Sequence, residues 1–490
     1  MQLLKGLASF SARPASCSCS PPPIVRMEPM FRAHDISLRF DTDRAGTGPL
    51  IWGQIAIWDV ISWLPPGDAS LNALVEWPIP DGRSIDDVLT ALRTLVERHD
   101  SLRTLVSEGA DGPHQQVIGS GSFDIEVHDI GAGLIADAVA ELGPDLHDIP
   151  FDYGIHLPLR VVMLISGDKP LLLLLSVSHM AVDGWSYKIV QTEFERLIAG
   201  ETLDPPGQQP LERAEYEASA QAIAREAKAL AFWAGHMATA PACMIATKRG
   251  VNDPDFTSAT IDSPALSVAT RSLAIRCGID AGAVLQGAVA LLIAAYTGER
   301  EAVMRKIVAT RFQPGSRLMV APFNQNALFR IDIADEPLTE FLGRCARAAM
   351  LGYWHSEYHP RKLESMVADV ASERGITPDG YCFFNDARFA ASNPAAPDPA
   401  AADAAAVGLA DLLPRTTVTE ERMPKTPKGA NFFADLFELG DRALLHLYVE
   451  NGFLAPRGPA DFLRDVERLL TRAAAGEESA SVHKLYAEFS

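Results

Sequence analysis

The chain has 490 residues, enough for two domains of ordinary size, each with its own core. Hydrophobic residues make up 48% and charged residues 22%, a globular rather than a disordered balance. The formal net charge of -20 excludes general nucleic-acid binding, which needs basic surface to displace counterions from phosphates. The longest apolar stretch, residues 283–296, is too short for a membrane span and contains Gln286 and Gly287, so it reads as a core helix and the chain as soluble, with no membrane partner. Cys17, Cys19, Cys243, Cys277, Cys345 and Cys382 are scattered without metal-like pairing, apart from the close pair Cys17 and Cys19 near the N-terminus, which fits a reducing cytoplasm.

Residues 1–30 hold no apolar core of secretory length and read as a disordered extension. Ile51, Ile55 and Trp58 then fall on one helical face. Ser84 with Asp87 forms a capping-box start for a helix whose Val88, Leu92, Leu95 and Val96 make one apolar stripe. That helix runs into residues 98–104, Arg-His-Asp-Ser-Leu-Arg-Thr, where Arg98 and His99 are expected to pin it to the following strand.

Residues 159–165 and 171–177 read as two apolar strands joined by the turn-forming cluster 166–170. The second strand is too uniformly apolar to be half exposed, so it is buried on both faces and delivers His179 to its end. A titratable imidazole there is held rigidly at a cavity edge, as a catalytic base needs; the alternative is a histidine that satisfies a buried hydrogen bond. A helix follows over residues 185–199, with Val190, Phe194, Leu197 and Ile198 on one face and Gly200 closing it.

Residues 201–210 read as the start of a crossing between lobes. His355 and His359 are four apart, but a glutamate at the wrong position for a zinc-binding HExxH and the lack of a third ligand argue against a metal. Residues 381–386 read as a strand entering a turn and residues 391–409, rich in Ala and Pro, as a flexible insertion. A strand at 443–449 and a helix carrying Phe462, Val466, Leu469 and Leu470 on one face complete the chain.

Residues 178–184, Ser-His-Met-Ala-Val-Asp-Gly, resemble the HHxxxDG signature of the condensation-domain superfamily, which includes the condensation domains of nonribosomal peptide synthetases and is related to chloramphenicol acetyltransferase. Ser178 stands where the signature has its first histidine. Residues 98–104 resemble the family's RHExLRT motif, Pro150-Phe151-Asp152 with Pro158-Leu159-Arg160 its "PFDL…PLLR" stretch, and Gln54 and Trp58 its opening segment. Residues 320–330 resemble "VGPFVNTLPLR", with Ala321 for the glycine and Gln325 for the asparagine. The resemblance spans about residues 48–470.

The resemblance implies an α/β (α+β) fold of two chloramphenicol-acetyltransferase-like lobes forming a V with the active site at their interface, an N-terminal lobe over residues 31–205 and a C-terminal lobe over 206–490. It implies a free-standing acyltransferase that joins an acyl or aminoacyl group, delivered as a carrier-protein thioester, to an amine or hydroxyl. His179 is then the catalytic residue, with the Gly184 amide stabilising developing negative charge. Ser178, Asp183 and Arg311 support the site, Asp183 pairing with Arg311 of the second lobe. Trp185, Ser186 and Gln325 are candidates for a substrate channel, with packing the preferred role for Trp185 and helix capping for Ser186.

No metal and no cofactor are expected beyond the phosphopantetheine of an acyl or peptidyl carrier protein, for which Arg361-Lys362 and Lys425 with Lys428 are candidate docks. The rival readings are an acyl-CoA-dependent acyltransferase of the same fold and a catalytically silent recruitment module. A recruitment module has no need of His179, so its retention beside Asp183 and Gly184 favours catalysis. Absence of a Gly-x-Ser-x-Gly elbow and of a P-loop removes the common hydrolase and nucleotide-using readings.

Overall fold

A computed structural model describes residues 32–110, 112–241, 256–376, 381–388, 408–423, 430–477 and 479–490. The chain forms two compact units, the first comprising residues up to Ser219 together with Arg311–Phe323, the second Ala220–Thr310 with Asn324–Ser490. Residues 1–31, most of the Ala/Pro-rich segment, and Lys425 and Lys428 lie outside the described residues.

The first unit contains β1 (Arg32–Asp41), β2 (Gly46–Pro49), α1 (Trp52–Trp63), β3 (Asn72–Pro78), α2 (Ile85–Arg98), β4 (Thr104–Gly109), β5 (Gly112–Val117), β6 (Ser120–Asp129), α3 (Ile135–Asp148), β7 (Leu159–Ser166), β8 (Lys169–Ser178), α4 (Gly184–Ile198) and α5 (Pro210–Glu217). Its main sheet has the order β1-β6-β7-β8-β3, and a smaller one the order β2-β5-β4. β7 and β8 form the expected antiparallel pair, with Leu159 opposite Val177.

The leucine run of β8 is buried on both sides because its alternate residues enter two different clusters. Leu173, Leu175 and Val177 pack with Leu92 and Leu95 of α2 and Phe194 of α4, while Leu172 and Leu174 pack with Ala138 and Leu146 of α3. At about 1.5–3 kcal/mol per buried leucine, this strand is among the most firmly seated in the unit.

The first unit extends beyond the expected limit at residue 205, because α5 is tied back into it. Glu217 accepts from the Trp52 amide at 2.7 Å and Gln209 from the Asp100 amide at 2.9 Å. The segment 311–323 likewise packs with this unit, although it follows five elements of the second unit in sequence.

The second unit contains α6 (Ala220–Met237), β9 (Phe256–Ser263), α7 (Pro264–Cys277), α8 (Ala281–Thr297), β10 (Glu301–Ala309), β11 (Asn324–Asp332), α9 (Leu338–Trp354), α10 (Pro360–Glu373), β12 (Tyr381–Asp386), α11 (Leu409–Leu412), β13 (Thr417–Met423), β14 (Ala430–Leu439), β15 (Ala443–Glu450), α12 (Pro459–Arg472) and α13 (Val482–Phe489). Its seven strands have the order β11-β10-β12-β14-β15-β9-β13. The apolar stretch at 283–296 is α8, buried along Gly282–Ala295 within the core of this unit. Among the described residues no single helix is long and apolar enough to cross a membrane.

Ser84 and Asp87 form the capping box of α2, with the Asp87 amide donating to Ser84 Oγ at 3.1 Å and the Ser84 amide to Asp87 Oδ2 at 2.9 Å. At the other end of the helix the sequence expectation is corrected. Arg98 and His99 reach across to α4 rather than to the next strand, and both bind Glu193: Arg98 by two bonds of 2.9 and 3.1 Å, His99 Nε2 at 2.6 Å. The reason is geometric: α2 and α4 pack side by side over the same face of the sheet, so the polar end of one meets the polar flank of the other.

Burial alone would raise the Glu193 pKa, but the bonds and charges of His99 and Arg98 outweigh it and hold the carboxyl below its ordinary value of 4.5. A carboxylate depressed on folding contributes stability that is fully present above the unfolded pKa and is lost as pH falls through the folded one. Glu193→Gln is therefore expected to melt at a lower temperature than wild type at neutral pH, and the difference to narrow as the pH is taken below 4.5. Thermal melts across an acid series check this.

Candidate functional site

The turn between β8 and α4 is closed by its own backbone. The Ser178 carbonyl accepts from the amides of Ala181 at 3.0 Å and Val182 at 3.3 Å, while the His179 amide donates to the Leu71 carbonyl at 2.9 Å. Ser101, inside the 98–104 motif, donates its hydroxyl to the Ala181 carbonyl at 2.6 Å. That contact gives the motif a direct hold on the turn.

His179 is half-buried, and its Nδ1 lies 2.6 Å from the Val182 carbonyl oxygen. A carbonyl only accepts, so the proton of the neutral ring sits on Nδ1 and the lone pair on Nε2. Among the described residues Nε2 has no hydrogen-bond partner. Ser178 is wholly buried; its Oγ accepts from the Met180 amide at 3.1 Å and lies 2.9 Å from the Tyr153 hydroxyl.

Asp183 caps α4, its Oδ1 accepting from the Ser186 amide at 2.7 Å. The same carboxylate accepts from Arg311 Nη2 at 2.8 and 3.0 Å and from the Phe323 amide at 3.0 Å. Arg311 Nη1 also donates to the carbonyls of Ser316 and Met319, both at 2.7 Å, and the guanidinium lies over the Phe323 ring at 4.3 Å. Burial lowers the guanidinium pKa and Asp183 opposes that shift, so the pair is buried and mutually dependent. Arg311 was expected from the second lobe; it instead belongs to the same compact unit as Asp183.

Three further expectations are revised. Ser186 does not cap α4, since Asp183 does. The Ser186 hydroxyl is wholly buried, donating to the Ala321 carbonyl at 2.7 Å and accepting from the Ala321 amide at 3.0 Å and Arg311 Nη2 at 2.7 Å, so it lines no channel. Trp185 does not pack away: its side chain is 46% exposed, and its indole N–H donates to the Arg317 carbonyl at 3.0 Å. Gln325 lies in the second unit, buried on β11, with its amide donating to the Tyr358 carbonyl at 3.3 Å.

Gly184 opens α4, where the helix presents amides beyond those that Asp183 satisfies. Of the expected docking cations, Lys362 is engaged with Glu226 at 2.6 Å within the second unit. The structure thus gathers Ser178, His179, Asp183, Gly184, Trp185, Ser186 and Arg311 in the first unit, with Gln325 in the second. Sequence reasoning missed Tyr153, Glu193 and the role of Ser101. Only Ser101 carried a signal, through its place in the 98–104 motif.

Removing one partner of a buried pair leaves the other charge uncompensated, so Arg311→Ala is expected to cost about 3–5 kcal/mol in urea unfolding. Asparagine caps a helix about as well as aspartate, so Asp183→Asn isolates the pair, and Asp183→Ala is expected to cost about 1 kcal/mol more through the lost cap. A variant of Asp183 that melts like wild type yet loses activity would give the aspartate a chemical role instead.

The family model for the condensation domain matches residues 74–375. Phosphinothricin tripeptide synthetase PhsC of Streptomyces viridochromogenes is 25% identical over 354 residues, which cover 68% of this chain and 32% of that protein. The chain spans only a part of the curated relatives it matches, 32% of PhsC and 2% of the nonribosomal peptide synthetase CymA of Salinispora arenicola. Among solved structures, SgcC5 from Streptomyces globisporus superposes with a TM-score of 0.66 at 18% identity, covering 88% of this chain and all of that one. A mutant starter condensation domain of rhizomide synthetase RzmA, in complex with C8-CoA, gives a TM-score of 0.65 at 16% identity, covering 89% of this chain and 96% of that one. These likenesses assign the fold, which is that of condensation domains and is chloramphenicol-acetyltransferase-like. Condensation domains in general transfer acyl or peptidyl groups held on carrier proteins. The matched span carries the His179 turn, Asp183 and Arg311 and covers more than half of the 490 residues, so the chain belongs to the condensation-domain family.

Proposed function

We propose that the protein transfers an acyl or aminoacyl group from a carrier-protein thioester to an amine or a hydroxyl, forming an amide or an ester, with His179 as the base. The observation that carries this reading is the fixed tautomer of His179, whose Nδ1–H is spent on the Val182 carbonyl so that Nε2 keeps a lone pair. A thioester arrives already activated, so the remaining tasks are to hold the two substrates together and to manage one proton.

The acceptor nitrogen or oxygen attacks the thioester carbonyl as Nε2 takes its proton. The new C–N or C–O bond forms, the C–S bond breaks, and the proton leaves Nε2 for the departing thiolate. The first amides of α4, Gly184 foremost, carry the partial positive charge of a helix N-terminus and suit the oxyanion that develops on the way. The donor would be presented on the phosphopantetheine arm of an acyl or peptidyl carrier protein. A CoA thioester is the second donor to consider, because the RzmA starter domain was solved with C8-CoA.

The test is product formation followed by mass spectrometry, with carrier-bound and CoA-bound thioesters offered against a panel of amines and alcohols. His179→Ala is expected to melt like wild type and to form product about a hundredfold more slowly or worse. Equal enzyme-dependent turnover by both proteins would remove His179 from the chemistry. Absence of turnover in both, with carrier binding retained, would replace catalysis by recruitment.

A further inference from the structure

We propose that Tyr153, acting through Ser178, is a positioning residue for His179: the two hydroxyls together hold the turn that keeps the imidazole on the Val182 carbonyl. The catalytic part of this inference rests on the reading of His179 as the base.

Position 178, where the family signature has its first histidine, carries only a hydroxymethyl group, yet it is wholly buried at the start of the turn. Its backbone carbonyl accepts the amides of Ala181 and Val182, which brings the Val182 carbonyl back over the turn to meet His179 Nδ1. Its hydroxyl accepts the Met180 amide and contacts the Tyr153 hydroxyl at 2.9 Å. A serine alone has three staggered positions for its oxygen. Contacts on two sides select one of them, the one that keeps Met180 satisfied and the turn closed.

Tyr153 is itself well held. Its carbonyl accepts from the Val106 amide at 2.7 Å, and its ring meets Trp58 edge-on at 5.8 Å between centroids and Phe151 at 6.3 Å. Burial raises the phenol pKa, so the hydroxyl remains a neutral partner across the range in which imidazole titrates. A rigid phenol and a serine thus stand in for one larger side chain. Without the phenolic hydroxyl, Ser178 is a partner short, the Val182 carbonyl drifts, and the imidazole is free to exchange its proton between the two nitrogens.

Tyr153→Phe removes only the hydroxyl and keeps the ring contacts; Ser178→Ala removes the other end of the same bond. The direct readout is long-range proton–nitrogen NMR of the full chain labelled in histidine, with the His179 signals identified by their loss in His179→Ala. Wild type is expected to show the Nδ1–H form alone, and both variants a mixture of the two tautomers. In the transfer assay both are expected to lower kcat about tenfold with KM unchanged, and the double variant to be no slower than either single one.

Unchanged His179 signals in both variants would overturn the proposal. So would a loss of rate that follows a lowered melting temperature while the tautomer stays fixed. If the tautomers mix in Tyr153→Phe but His179→Ala turns over like wild type, the positioning link stands and the assignment of His179 as base fails.

Discussion

The buried pair of Asp183 and Arg311 is the constraint on which the first unit's functional end depends. Taking a carboxylate and a guanidinium out of water costs several kcal/mol per ion, and their mutual attraction offsets that only where the remaining donors and acceptors are also satisfied. Here they nearly all are. Asp183 takes the Arg311 nitrogen and the amides of Ser186 and Phe323; Arg311 adds the carbonyls of Ser316, Met319 and Ala321. One pair therefore fixes both the start of α4 and the path of residues 311–323. The close fit leaves no room for a side chain on Gly53 of α1, where an added Cβ would lie 2.0 Å from the Pro322 carbonyl oxygen.

A second polar network frames the turn from the other side. Arg103 is completely buried, yet it donates to the carbonyls of Val96, Arg44 and Ile118 and pairs with Asp100, so its charge is matched at every direction it faces. Thr104 donates to the Asp100 carbonyl at 2.6 Å and Ser101 to that of Ala181 at 2.6 Å. These groups convert the end of α2 into a rigid corner. Together with the Glu193 contacts they set α2, α4 and the His179 turn as one piece, so that the imidazole's direction is decided by many weak constraints rather than by one strong one.

What was legible in the sequence was what repeats locally. The leucines of β8, the Ser84 and Asp87 cap, and the uninterrupted burial of α8 each follow from a period or a spacing within one element. The His179, Asp183 and Gly184 spacing was readable for the same reason, as a strand end followed by a helix start. Contacts between residues far apart in sequence were not. Nothing near Glu193 announces that it will meet Arg98 and His99, 95 and 94 residues earlier. Ser186 misled because a serine at the third position of a helix looks like a cap, whereas Asp183 already filled that role and left the hydroxyl to Ala321 and Arg311. Trp185 misled because a tryptophan after an aspartate–glycine start suggests burial, yet one indole hydrogen bond to the Arg317 carbonyl suffices to hold it at the surface.

The replacement of an imidazole by Ser178 is consistent with this division of labour. A side chain whose task is to brace a turn needs a donor or acceptor in the right place, not a particular pKa, and a hydroxyl at that place serves if something else fills the space the ring would have occupied. Tyr153 supplies the polar contact, its hydroxyl lying 2.9 Å from Ser178 Oγ. His179, as the base we propose, has no such freedom, because proton transfer near neutral pH requires a group that titrates there and presents a lone pair in a defined direction. On the proposed mechanism, the sequence departs from the family signature at the position where geometry alone is required, and keeps it at the position where chemistry is.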